Sequence, residues 1–169
     1  MANRFFVVVG LLILVTGVVI GQSKPSIQGV WKPVEVTITN PNAASGGLGK
    51  GTHTNLQPAL VIFTGKHYSQ VLDTSGKPRP TTGFNVAGKP TATEMESQWT
   101  QFAASSGTYE LSGTTLTTRA IVSKNPRLQG KSFTRYTIKL DGDNLWTTQV
   151  ENSDGKVANP NTIKYVRVE

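Results

Sequence analysis

Beyond residue 28 the chain is written in short runs that alternate apolar with polar residues or are rich in β-branched side chains. The first, Gly29 to Thr39, reads GVWKPVEVTIT, a strand with Pro33 at a bulge or edge position. Gln57 to Thr64 and His67 to Asp73 form a hairpin through Thr64-Gly65-Lys66. Thr108 to Leu111 and Thr114 to Ser123 flank Ser112-Gly113, a tight hairpin loop. Ser132 to Leu140 and Asn144 to Glu151 flank Asp141-Gly142-Asp143, and Thr162 to Val168 forms the eighth strand. One segment follows a different period. In Ala92 to Ser105, Met95, Trp99 and Phe102 recur at i, i+4 and i+7 and share a helical face. Thr91/Glu94 and Thr93/Glu96 both have capping-box spacing. The helix falls between the third and fourth predicted strands, and its apolar face is expected to pack on the barrel. Between these elements lie a Gly/Ser/Asn-rich loop, Asn40 to Asn55, and an irregular crossing, Thr74 to Thr91, containing Pro78, Pro80 and Pro90.

The predicted fold class is therefore all-β, an eight-stranded up-and-down antiparallel β-barrel with one inserted α-helix. A two-sheet sandwich fits the strand pattern as well, but closure into a barrel removes the exposed edges. A barrel of this strand number holds packed side chains or one small ligand.

Composition narrows the address and the chemistry. The 169 residues are enough for one domain with a sizeable core. There is no cysteine, which excludes disulfides, thiolate metal sites, a cysteine nucleophile and a lipidated N-terminal cysteine. Arg4 precedes an apolar run from Phe5 to Ile20, followed by small residues to Gly21. At about 16 residues that run is short of the ~20 of a membrane span and fits a secretory signal peptide, residues 1–21, cleaved near Gly21. The mature domain is then residues 22–169, secreted or periplasmic, with no stable membrane span after cleavage. An uncleaved anchor is the rival reading.

Gly29-Val30-Trp31 opening the first strand looks like the lipocalin G-x-W signature. The stretches 29–36, 59–72, 92–111 and 125–146 resemble the bacterial and fungal lipocalin-like domain family, a divergent branch of those barrels. The resemblance covers nearly the whole mature chain. It implies a ligand-sized barrel with Trp31 at the closed end and a basic residue of the final strand, here Arg167, stacked across it as a structural plug. Members of that family often carry histidines in the strand where this chain has Thr117-Thr118-Arg119.

Candidate chemistry is sparse. His53 and His67 are the only histidines, with no HxxxH or His/Glu cluster, so no metal or cofactor is expected. Gly46 to Thr52 imitates a phosphate loop but has Ala44 and Gly51 at positions that need Gly and Ser/Thr. Asp141 to Asn144 imitates a calcium loop but lacks its later glycine and glutamate. Strand parity places Glu35 on the face of Trp31, with Arg119 and Arg135 as candidate partners for an inward carboxylate; a bulge at Pro33 would reverse it. Tyr68 and Gln70 share a face with Leu72, Tyr136 with Ile138 and Leu140, and Trp146 with Thr148 and Val150. The candidate ligand-binding set is thus Glu35, Tyr68, Gln70, Arg119, Arg135, Tyr136 and Trp146.

The net charge of +7 comes from singly spread basic residues without an interleaved aromatic platform, so nucleic acid is not an expected partner. The leading expectation is an exported, monomeric barrel that binds a small apolar or amphipathic molecule. Two alternatives stand beside it. One is a small barrel enzyme of isomerase or cyclase type using Glu35, His67 and tyrosines. The other is an envelope interaction protein whose barrel is solid.

Overall fold

A computed structural model describes residues 26–40, 48–79 and 91–169. The expected signal segment 1–21 and its cleavage point lie outside the described residues, as do parts of the 40–55 loop and the 74–91 crossing. Ten strands form one antiparallel sheet: β1 Gly29–Ile38, β2 Gly51–His53, β3 Ala59–Phe63, β4 His67–Asp73, β5 Phe102–Ser112, β6 Thr115–Ser123, β7 Thr134–Asp141, β8 Asn144–Asn152, β9 Gly155–Lys156 and β10 Thr162–Arg167. Each long strand pairs with its sequence neighbour, and β10 pairs with both β8 and β1. The sheet therefore closes into the expected eight-stranded up-and-down barrel. β2 lies beside β1 and β9 beside the end of β8, both off the barrel circuit.

The helix α1, Ala92–Thr100, follows β4, because the short β2 adds one strand to the count before it. Its start is set by Thr91: the Glu94 amide donates to Thr91 Oγ1, and the Thr91 amide donates to Glu94 Oε2 at 2.8 Å. Its end comes earlier than the periodicity predicts. Phe102 to Ser105 belong to β5, where Phe102 pairs with Asp73 and Ala104 with Val71. Backbone pairing with β4 outweighs the helical pattern of the side chains. Met95 and Trp99 are 54% and 59% exposed, so the expected packing of this face on the barrel does not occur among the described residues. Lys124 grips the end of α1: its ammonium reaches the Trp99 and Phe102 carbonyls and lies 5.0 Å from the Trp99 ring.

The core gathers at one end. Trp31, fully buried, packs with Ile27, Val61, Phe63, Leu116, Ile138 and Leu145. Its indole N–H donates to the Ile27 carbonyl at 2.7 Å. The Arg167 guanidinium lies 4.2 Å from the Trp31 ring centroid, a cation–π distance, and donates to Ser26 O at 2.9 Å and to Gln28 O. Residues 26–28 are thereby strapped across the barrel end that also carries the 64–66 and 142–143 turns, and this end is closed.

Candidate functional site

Above the Trp31 layer the barrel is hollow. A chamber of about 490 Å³ runs from Trp31 to the opposite rim, and a second of about 210 Å³ adjoins it on the side of β5 to β7. The first volume lies in the range of small-molecule sites. The chamber floor is apolar, made by Val61, Phe63, Leu116 and Leu145 around Trp31. Midway up, the wall changes character. Tyr68, Gln70, Thr118, Tyr136, Thr147 and Tyr165 bring phenols, hydroxyls and an amide inward from β4, β6, β7, β8 and β10. At the rim stand Gln149, Asn152, Asn159 and Asn161, with Val157 between them.

Part of this polar wall is tied to Ser105. The Tyr68 hydroxyl and the Gln70 amide both donate to Ser105 Oγ, at 3.3 and 2.9 Å. Thr118 and Thr134 stand beside the Tyr136 phenol, and Thr147 beside that of Tyr165. Burial dominates the titration of the last two phenols. It pushes Tyr165 up to about 12 and Tyr136 further, with Tyr165 and Tyr68 beside Tyr136 adding to the effect. The surface of Tyr136 that is not buried faces the chambers it lines. Both groups keep their protons in the folded state after unfolded tyrosines have lost theirs. Their contribution is therefore constant below about pH 10 and declines as pH rises from there. We expect urea unfolding midpoints to be similar at pH 7 and pH 9 and to fall steeply by about pH 11. Phenolate absorbance should show tyrosines that ionise only with unfolding. Full ionisation of every tyrosine in the still-folded chain would contradict this placement.

Of the seven candidate ligand-binding residues, Tyr68, Gln70 and Tyr136 line the chamber. The other four do not; a bulge explains Glu35, and regular alternation with Leu145 and Thr147 explains Trp146. In β1, Pro33 pairs with Tyr165 and Glu35 with Lys164, leaving Val34 as the extra residue. Parity flips there, so Val36 and Ile38 line the chamber and Glu35 does not. In β8, Gln149 pairs with Tyr136 and Glu151 with Arg135, leaving Val150 as the extra residue. Leu145, Thr147 and Gln149 are the inward residues, and Trp146 is on the outer face. There it is sandwiched by its cross-strand partners, with Lys139 at 5.0 Å and Lys164 at 5.2 Å from its ring.

Arg119 and Arg135 do not meet Glu35. Both guanidinium groups flank the Phe133 ring, at 5.7 and 5.1 Å, and Arg135 forms an ion pair with Glu151. His67 is exposed at the start of β4, and His53 Nε2 lies 2.8 Å from the Gly49 carbonyl in the 48–57 segment. The described part of the Asn40 to Asn55 loop is anchored where β2 pairs with Val36 to Ile38. Leu48 and Leu56 cover a small apolar niche of about 110 Å³ beside the rim. Asp73, also at this niche, is tied to Ser75 and to Arg79 Nε, the latter at 2.7 Å. Burial there would raise its carboxyl, but the Ser75 and Arg79 bonds outweigh it and hold the group below the usual carboxylate range.

No family model matches this chain, and no curated protein is recognisably similar to it. The closed eight-stranded antiparallel barrel is compatible with a lipocalin-like fold. It is also consistent with a barrel that binds a small molecule.

Sequence reasoning missed Thr147, Gln149 and Tyr165 as lining residues. The alternation Leu145, Thr147, Gln149 carried the signal for the first two, but the apolar Val150 pulled the assigned face onto Trp146.

Proposed function

We propose that this is an exported protein of lipocalin-like type whose barrel binds one small amphipathic molecule. The chamber carries this reading: a space of about 490 Å³ with an apolar floor and a ring of neutral polar groups above it. Export rests on the Arg4 to Gly21 pattern. The lipocalin-like assignment rests on Gly29-Val30-Trp31 and on the Trp31–Arg167 stack. The two alternatives have less behind them. Of the acid–base enzyme's actors, Glu35 and His67 do not line the cavity, and the tyrosines Tyr136 and Tyr165 that do are held protonated by burial. The solid barrel is at odds with the chamber itself.

The test is native mass spectrometry of the protein purified from its own host. A single adduct of small-molecule mass, lost on denaturation, is expected. It should be absent from Thr147→Trp, which fills the chamber from a buried wall position. An adduct retained in a folded Thr147→Trp variant would place binding elsewhere. A clean apo mass together with no uptake of any added amphipathic probe would sink the reading. Processing is tested on the same sample, since cleavage near Gly21 starts the chain at Gln22.

A further inference from the structure

The chamber walls have a property that the binding reading does not require. Among the described residues, none that lines either chamber is Asp, Glu, Lys, Arg or His. The chain is not short of charge, with 17 Lys and Arg and 10 Asp and Glu. Several charged side chains of the barrel are engaged elsewhere, and Arg119 and Arg135 lie against Phe133 of the second chamber's wall without themselves lining it. Asp73 is held by Ser75 and Arg79, Arg135 by Glu151, and Arg167 closes the far end over Trp31. Inside, every polar group is a hydroxyl, a phenol or an amide, and burial keeps the Tyr136 and Tyr165 phenols protonated.

A charged ligand entering this space would lose its hydration shell and meet no counter-charge. A buried ion is tolerated only where a partner and further hydrogen bonds compensate for that loss. A neutral hydrogen-bonding group meets no such penalty. It exchanges bonds with water for bonds with amides and hydroxyls that act as donors and acceptors alike.

We propose, on the basis of the binding reading, that the barrel selects uncharged amphipathic ligands and rejects carboxylates, sulfonates and ammonium compounds of the same shape. The apolar body of the ligand sits against Val61, Phe63 and Leu116, and its neutral polar end reaches Gln149, Asn152 and Asn161 at the rim. The surface works against this selection for anions. A net charge of +7 draws them towards the protein, so a preference for the neutral member of a pair originates in the interior.

Two dyes of one ring framework test the proposal. N-phenyl-1-naphthylamine is neutral, and 8-anilino-1-naphthalenesulfonate adds a sulfonate to the same skeleton. Fluorescence titration of the folded chain at physiological salt should show one site for the neutral dye. The sulfonate should be about tenfold or more weaker in displacing it. Thr147→Trp should abolish the neutral dye's site while circular dichroism and thermal melting report a folded chain. Gln70→Trp serves the same purpose if the first variant does not fold. Gln149→Arg, which sets a cation in the wall, should bring the sulfonate level with the neutral dye or ahead of it. Equal or tighter displacement by the sulfonate in the unmodified protein would overturn the selectivity and leave the binding reading intact. An ionic native adduct would do the same. Binding of neither dye overturns the selectivity, and the native mass spectrum then decides separately whether the barrel binds anything.

Discussion

Trp31→Ala is expected to remove about 3–5 kcal/mol of folding stability, the upper range for a buried large-to-small change. Three losses coincide. The indole is fully buried at the meeting point of the core side chains. Its N–H is the partner of the Ile27 carbonyl, which would be left without that donor in a buried position. The Arg167 guanidinium loses the ring on which it rests, 4.2 Å away. Domains are stable by only about 5–15 kcal/mol, so this one substitution consumes a large fraction of the total. For a chain of this size the melting temperature should fall by about 10 °C or more. Trp31→Phe keeps most of the volume and loses the donor, and should cost about 1–2 kcal/mol. Arg167→Met keeps the stem and loses the cation, with a cost in the same range. Urea midpoints for the three variants give the ordering directly. If Trp31→Ala unfolds within about 1 kcal/mol of the unmodified chain, this end of the barrel is not where its stability resides.

Gly107→Ala should be nearly as damaging, although glycine and alanine differ by one methyl group. Gly107 sits beside the bulge where Ile121 is the extra residue of β6, and the distortion presses the two strands together. A Cβ at this position would run into the Arg119 carbonyl oxygen and stand 2.8 Å from Ala120 Cα and from Ile121 N. All three atoms are backbone, so none can swing aside as a side-chain tip would. Overpacking against flexible neighbours costs about 1–3 kcal/mol, and a backbone collision belongs at or above the top of that range. The damage would spread to the site, because Ser105, two residues away, receives the Tyr68 and Gln70 hydrogen bonds. Gly65→Ala is the matched control, with nothing within 4 Å of its added methyl. Its effect should be within about 0.5 kcal/mol of zero. Equal melting temperatures for the two variants would show that β5 and β6 can separate at the bulge without cost.

The strands were legible because β-branched runs and tight turns such as Ser112-Gly113 are local signals, complete within a few residues. The faces were legible only as far as the nearest bulge. Trp31 and Tyr68 sit on strand stretches where parity runs unbroken, and parity there identifies the chamber side. Glu35 lies just past an offset of one residue, whereas Trp146 alternates regularly with Leu145 and Thr147 and was assigned to the wrong face through the apolar Val150. Val34 and Val150, the residues that absorb the offset, look like any other strand valines. Pro33 was the one local hint, since a residue without an N–H weakens the ladder where it stands. The end of α1 depended on a partner far away in sequence, because Phe102 is drawn into the sheet by Asp73. The chamber itself was out of reach. An empty space is a sum over the wall residues of several strands, and no short segment encodes it.

The closure of the barrel by β10 has a consequence in time. The ring is complete only when β10 has added itself between β8 and β1, and the Arg167 to Ser26 clasp joins residues 141 positions apart. During synthesis β1 emerges early and then waits for most of the chain before its second neighbour exists. Most of the strand pairs are sequential and form locally, so the distant closure of β10 on β1 is the step that carries the loop-closure cost and comes late. A nascent chain of this design therefore stays an open polypeptide, one that a narrow channel could still admit, and becomes a sealed ring only once its last strand is made.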